Sequence, residues 1–293
     1  MGGEVRITLY APSPEIAERA ATSAYARIAA LEDVMSDYRP TSEVSRLAAQ
    51  AERGPVVISA DLARVLGRAQ ALARASGGAF DVTCGPLVAL WRDARKTGAL
   101  PAASAISAAR ARVGWRNLRV DSVVPTAELR RAGLRLDLGG IAKGDAGDEA
   151  RRELHAQGVT RALIEAGGDL VAGDAPPGQR GWRVQIRGER GPGRWLVNQA
   201  MSTSGDAAQF VAIKGVRYSH IVDPRDGYGV THRNQVTVIA RSGLVTDPLA
   251  TALSVLGPRA GARLIAQEGV QVVWIAPQKS EGKRTEKWSM LEP

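Results

Sequence analysis

The order of segments predicts an α+β protein with a mixed, largely antiparallel sheet core and helices packed at its ends. Three observations carry that prediction. The chain opens with a strand-like stretch followed by an amphipathic helix, together spanning Glu4 to Met35. Short strands and glycine-rich turns fill most of the stretch from Ala162 to Ile239. Two last helices, Asp247 to Leu256 and 259–268, then lead into a final strand, Val270 to Ile275. With 293 residues and 44% hydrophobic side chains, the chain can fill a substantial core without staples.

Taken in order, Glu4 to Tyr10 alternates as a strand, and Pro12 to Pro14 makes a turn. Glu15 to Met35 carries Ile16, Ala20, Ala24, Ile28, Leu31 and Val34 at helical spacing. A polar loop follows, and its Ser42 opens a short helical piece ending near Ala51. Val56 to Ile58 reads as a brief strand running into Ser59 as a helix cap, and Asp61 to Ser76 as a helix stopped by Gly77-Gly78. Ala79 to Pro86 reads as an extended segment with Asp81 set between apolar neighbours. Residues 88–114 read as helices broken at Pro101, and 117–137 as two strands around Val124-Pro125. The second of these, Gly133 to Leu138, runs directly into Gly139-Gly140, and Ile141 to Gln157 is then helical. Ala162 to Ala166 is strand-like and ends in a second glycine turn, Gly167-Gly168. Residues 1–276 read as a single domain and 277–293 as a polar C-terminal extension.

The net charge is +9, and most of the positive side is arginine. Arg92, Arg95, Arg110, Arg112, Arg116, Arg151 and Arg152 are scattered over polar helix faces and loops, without a dense basic run interleaved with aromatics. They read as solvated surface, and no nucleic-acid partner is expected. The one cysteine, Cys84, rules out an intrachain disulfide and a cysteine metal knot. No apolar run reaches the ~20 residues that span a bilayer. Nothing at the N-terminus reads as a signal, although a chain trimmed of an export segment would look the same.

Three segments could carry chemistry. In Asp137 to Gly144, a strand turns into a helix through two glycines, so backbone N–H groups and Lys143 can meet an anion. A plain tight turn is an equal reading, since neither the P-loop nor the dinucleotide spacing is present. Asp247 and Thr251 stand at i and i+4 at the start of a helix, which puts two hard oxygen donors suited to Mg²⁺ on one face. The rival reading makes Asp247 a helix N-cap followed by Pro248 at the first helical position. The third segment joins Ser202-Thr203-Ser204-Gly205 to the stretch His220 to Gly227, where hydroxyls suit phosphate and His220 suits proton transfer.

Joined in one order, these segments acquire a more specific meaning. Ser36-Asp37-Tyr38 with Ser42-Glu43, Phe80-Asp81-Val82-Thr83 with Gly85-Pro86, Asp137 to Gly144, Gly167-Gly168-Asp169-Leu170, Ser202 to Gly205, His220 to Gly227 and Asp247 to Gly257 together resemble the ApbE family of FAD:protein FMN transferases. The resemblance runs from residue 1 to about residue 275. It implies a T-shaped fold and a transferase that binds FAD and, with Mg²⁺, moves the FMN half onto a threonine of a target protein. Expected targets are flavin-bearing subunits of respiratory or electron-transfer complexes. The resemblance also implies metal ligation by Asp247, Thr251 and the carbonyl of Ala142. It implies an FAD site lined by Met1, Ser36, Tyr38, Asp81, Lys143, Asp148, Glu165, Gly167, Gly168, Asp169, Ser204, His220 and Ile221.

Within that site Lys143 is expected to hold a phosphate oxygen, and His220 or Asp223 to take the proton of the attacking hydroxyl. Four positions depart from the family pattern: Gly3, Asp145, Pro248 and Asp226. None removes a metal ligand, but they leave FAD hydrolysis to FMN and AMP, or FAD binding alone, as alternatives in the same pocket. The expected location is the periplasm or cell envelope, with a lipid anchor removed from the chain as one route to membrane association and the cytoplasm as an alternative.

Overall fold

The computed structural model describes residues 3–205, 209–278 and 287–291. The chain begins with β1 (Val5–Tyr10) and α1 (Pro14–Met35), whose first turn is capped by the Ser13 hydroxyl. Helices α2 (Glu43–Ala48) and α3 (Ala60–Ala75) start in the same way, on Ser42 and Ser59, with β2 (Val56–Val57) between them. Glu43 ties the two starts together by accepting hydrogen bonds from Ser59 N and Oγ, each at 2.6 Å.

Helices α4 (Gly85–Thr97) and α5 (Ala103–Arg110) follow, divided at the expected proline. Strands β3 (Leu118–Asp121) and β4 (Thr126–Leu129) then join β2 in a small antiparallel sheet of order β2-β4-β3. The expected strand Gly133 to Leu138 does not form. Only Arg135 makes a bridge, parallel to Cys84, and Asp137 N donates to Val82 O at 2.8 Å. The reason lies in its partner segment. Asp81 accepts from Thr83 N at 2.8 Å, Thr83 Oγ at 2.7 Å and Trp115 N at 2.8 Å, which curls residues 79–84 into turns ahead of α4 instead of an extended ladder.

After α6 (Ala142–Ala156) come β5 (Arg161–Ala166), β6 (Asp169–Ala172), β7 (Trp182–Val184), β8 (Arg194–Leu196), β9 (Ala200–Gly205), β10 (Phe210–Ile213), β11 (Val216–Ser219) and β12 (Gln235–Ala240). Helix α7 (Gly243–Glu268), kinked at Gly257, leads to β13 (Gln271–Gln278) and β14 (Lys287–Leu291). Among the described residues the main sheet has seven strands in the order β1-β5-β6-β9-β12-β13-β14. Each neighbouring pair is antiparallel. The C-terminal stretch expected as a polar extension thus adds β14 to the sheet edge.

One face of this sheet is covered by helices. Ala20 and Ala24 of α1 and Ala150 and Leu154 of α6 pack on Ala162, Ile164 and Val171, while Leu249 and Leu253 of α7 join Val236 and Val238 in the largest core cluster. The opposite face packs Met201, Ile239, Val273 and Ile275 against Trp182, Val184 and Leu196 of the β7–β8 hairpin. Alternation along each strand sends successive side chains to opposite faces, so the sheet determines which functional groups meet the helices.

Candidate active site

The site forms where the N-terminal turn of α6 meets α7 and the β5–β6 hairpin. That hairpin turns on Gly167 and Gly168, both at positive φ (56° and 93°), the backbone that a two-residue hairpin loop demands. A Cβ at Gly167 would lie 3.3 Å from Lys143 Cδ, so the lysine stem runs over this turn. Its ammonium ends between two buried carboxylates, 2.5 Å from Asp169 Oδ2 and 3.2 Å from Asp247 Oδ1. Burial opposes the charge on Lys143, but Asp247 and Asp169 together push its pKa up. Asp169 is pushed up to about 7, first by burial and then by the Asp247 carboxylate. Two carboxylates share one ammonium, and this excess negative charge favours a further cation.

Asp247 is not the helix cap that its sequence context suggested as the rival reading. Helix α7 starts four residues earlier, at Gly243, and Pro248 lies inside it. The other oxygen of Asp247 accepts from Gly144 N at 3.1 Å, in the first turn of α6, where no side chain caps the helix locally. Thr251, one turn further along α7, has its Oγ1 3.2 Å from Ser204 Oγ of β9. A Cβ at Gly140 would lie 3.0 Å from Thr251 Oγ1, so the absence of a side chain there opens the glycine turn onto the hydroxyl. Among the described residues no group of three or more His, Cys, Asp or Glu side chains is placed to hold a metal. The oxygens gathered here are carboxylate and hydroxyl, which suit a hard cation.

Arg92, read from the sequence as solvated surface, anchors the outer wall. It pairs with Asp37 at 2.6 Å and Asp137 at 2.9 Å, and its guanidinium lies 4.4 Å from the centroid of the Tyr38 ring. This arginine fastens the Ser36–Tyr38 loop to the start of the glycine turn. Ser36 is buried and closes α1 through its N–H on Glu32 O, while Tyr38 is 67% exposed and presents its ring to solvent. Ser202 and Thr246 were also missed as individual site residues. Their hydroxyls lie 2.8 Å apart, and the Ser202 hydroxyl hydrogen-bonds Asp169 as well. Only the β9–α7 packing reveals that relation.

Other expected residues have different employment. Asp81 is buried in the turn described above, with both oxygens engaged. Asp148 accepts from Ser242 Oγ at 2.6 Å, Gly243 N at 2.9 Å and Leu244 N at 2.9 Å, so its carboxylate caps α7. Glu165 pairs across the strands with Leu170, on the sheet face opposite the one to which Asp169 and Val171 belong. Asp223 is held by Arg225 at 2.7 Å, so its carboxylate is already engaged. His220 Nδ1 lies 3.0 Å from Gln209 O; a proton on Nδ1 makes Nε2 the lone-pair nitrogen. The neighbouring Ile221 packs with Val255, one helical turn beyond Thr251. Met1 lies outside the described residues.

The departures from pattern also find partners. Asp145 is fully buried and forms a two-point pair with Arg64, at 3.0 and 2.9 Å. Asp226 accepts from Tyr228 N at 2.8 Å, which shapes the turn at Gly227.

Fold and site together define a class: an α+β protein that sets a lysine, two carboxylates and a hydroxyl beside a glycine turn at a helix N-terminus. The chain belongs to the ApbE family, whose profile matches residues 1–274. It is 33% identical to the FAD:protein FMN transferase of Treponema pallidum (strain Nichols), over 95% of this chain and 83% of that protein. Its fold is similar to the flavin transferase ApbE from Vibrio cholerae, with a TM-score of 0.85, 30% identity and coverage of 99% of this chain and 94% of that one. The apo flavinyl transferase ApbE of Pseudomonas stutzeri aligns with a TM-score of 0.81 and 29% identity, over 98% and 95% of the two chains.

Proposed function

We propose that this protein transfers the FMN moiety of FAD to a threonine hydroxyl of a target protein and releases AMP, with Mg²⁺ held by Asp247, Thr251 and the Ala142 carbonyl. The observation that carries this reading is the Lys143 cluster. An ammonium shared by Asp169 and Asp247 stands beside the Gly139-Gly140 turn, in a chain whose relatives are named for this transfer. The residues fit a hard divalent cation. Asp247 and Thr251 lie on one face of α7, the glycine turn leaves Thr251 Oγ1 open, and the carboxylates outnumber the ammonium. When bound, the metal neutralises charge on the pyrophosphate oxygens.

The chain's own residues supply the rest. The N-terminal turn of α6, where the N-cap residue Ile141 supplies no side-chain cap, and Lys143 receive a phosphate, and Tyr38 offers a flat ring to one of the ring systems of FAD. In the reaction the threonine oxygen forms a bond to the FMN phosphorus while the bond from that phosphorus to the bridging oxygen breaks. AMP departs with that oxygen. His220 Nε2 takes the hydroxyl proton, since Asp223 is already paired with Arg225.

The test is incubation with FAD and Mg²⁺, with and without a peptide bearing an acceptor threonine. Transfer predicts AMP release that depends on the peptide, together with covalent FMN on its threonine by mass spectrometry. AMP release at the same rate without peptide would make the protein a hydrolase and overturn the transfer reading.

A further inference from the structure

The first turn of α6 is gripped from two sides. On one side Lys143 meets Asp169 of β6 and Asp247 of α7, and Gly144 N donates to Asp247. Asp145, two residues beyond Lys143 and so about 200° further around the helix, faces α3 instead. There Arg64 holds it by two bonds, Nε to Oδ1 at 3.0 Å and Nη2 to Oδ2 at 2.9 Å.

Arg64 is itself fixed. Its Nη1 donates at 2.8 Å to Asp61, one turn earlier on α3, and Asp61 accepts from both Nη groups of Arg27 on α1, at 2.7 and 2.6 Å. Arg27 then returns to α6, donating from Nε to Glu149 at 3.1 Å. Asp145 and Glu149 stand at i and i+4, so the ring of charges closes on one face of α6. With Arg152 on Glu149, three guanidinium groups balance three carboxylates. Asp145 and Glu149 are buried, where water competes little for these bonds. A two-point bond fixes the plane of a carboxylate as well as its position, so this fork sets the rotation of the turn that carries it.

We propose that Arg64 is a positioning residue for the transfer reaction: through Asp145 it fixes the rotation of the first turn of α6, and with it the place of the Lys143 ammonium that receives the FAD phosphate. The inference rests on the reading of Lys143 as a phosphate ligand. Arg68, one turn further along α3, supplies the contrast. It makes a similar two-point pair, at 3.1 and 2.9 Å, but with Glu268, the last residue of α7. Both pairs tie helices together, and only the Arg64 pair reaches the turn of the lysine.

Titration of flavin fluorescence with FAD in EDTA, without acceptor peptide, reads affinity apart from turnover. It is run on the parent, Arg64→Lys, Asp145→Asn, Arg68→Lys, Lys143→Met and the double variant Arg64→Lys/Lys143→Met. Arg64→Lys and Asp145→Asn keep the approximate size of the side chain and lose the two-point ion pair; each is expected to weaken FAD binding at least about fivefold. In the Lys143→Met background, Arg64→Lys is expected to change affinity less than about twofold, because effects that act through one residue do not add. Arg68→Lys is expected to lower the melting temperature and to keep the parent's affinity. Parental affinity in either Arg64→Lys or Asp145→Asn, with Lys143→Met weakened, overturns this inference alone. An Arg64→Lys effect equally large without Lys143 also overturns it. Parental affinity in Lys143→Met overturns the phosphate reading of the lysine, and this inference with it.

Discussion

Asp148 and Asp247 cap each other's helices. Asp148 of α6 accepts from Gly243 N and Leu244 N at the start of α7, and Asp247 of α7 accepts from Gly144 N at the start of α6. The two helix starts therefore form one locked unit, and the candidate metal ligand is placed by the same crossing that holds the fold.

Replacing Asp148 with alanine removes three hydrogen bonds from the start of α7. The expected loss is about 2 kcal/mol of stability, measured by urea unfolding. Arg152→Ala, on the same helix but largely exposed, is expected to change stability by less than about 1 kcal/mol.

The crossing has no room for a methyl group. A Cβ at Gly144 would lie 2.0 Å from Gly243 O, and one at Gly243 would lie 2.3 Å from Gly144 O. Gly144→Ala is expected to cost about 3 kcal/mol or more and to lower turnover, because Asp247 moves with α7. Thermal unfolding and AMP release measured on the same preparation check both effects.

Thr251→Val keeps the shape of the side chain and removes its oxygen. Turnover is expected to fall at least about tenfold and to recover partly at high Mg²⁺ concentration, whereas Asp247→Asn loses activity about a hundredfold or more. AMP release across a magnesium titration separates the two variants.

The base assignment makes a paired prediction. His220→Ala should lower the rate about a hundredfold, while Asp223→Asn should retain most of it, because Arg225 already occupies that carboxylate. Single-turnover kinetics on matched preparations would read the difference.

Acid sensitivity follows from Asp61. Hydrogen bonds from Arg27, outweighing burial and joined by Arg64, hold its pKa down at about 2 from 3.8. A folded-state pKa below the unfolded one gives stability that is present above pH 3.8 and lost as pH falls through about 2, worth about 2 kcal/mol. Urea unfolding of the parent and of Asp61→Asn should differ at pH 6 and converge near pH 2.

The helices and most strands were legible in the sequence because each carries its own local signals. Ser13, Ser42 and Ser59 cap helices where hydroxyl residues precede an apolar period, and the Gly167-Gly168 turn marks its hairpin. Gly133 to Leu138 was misread because strand formation depends on a partner, and Asp81 had already curled that partner into a turn. Arg92 looked like any exposed arginine; its two aspartates are distant in sequence and close only after folding.

The sequence alone determined the class of the fold, the family and the glycine turn ahead of α6, since these depend on residue order and local backbone demands. Only tertiary structure decided that Asp247 does not cap its own helix but pairs with Lys143 and caps α6 through Gly144 N. It also decided that Asp148 and Asp223 are engaged elsewhere, and that Ser204 and Gly140 face Thr251. A carboxylate's role depends on which donors surround it in three dimensions, and those donors come from α6, α7 and the sheet, more than a hundred residues apart in the case of Lys143 and Asp247.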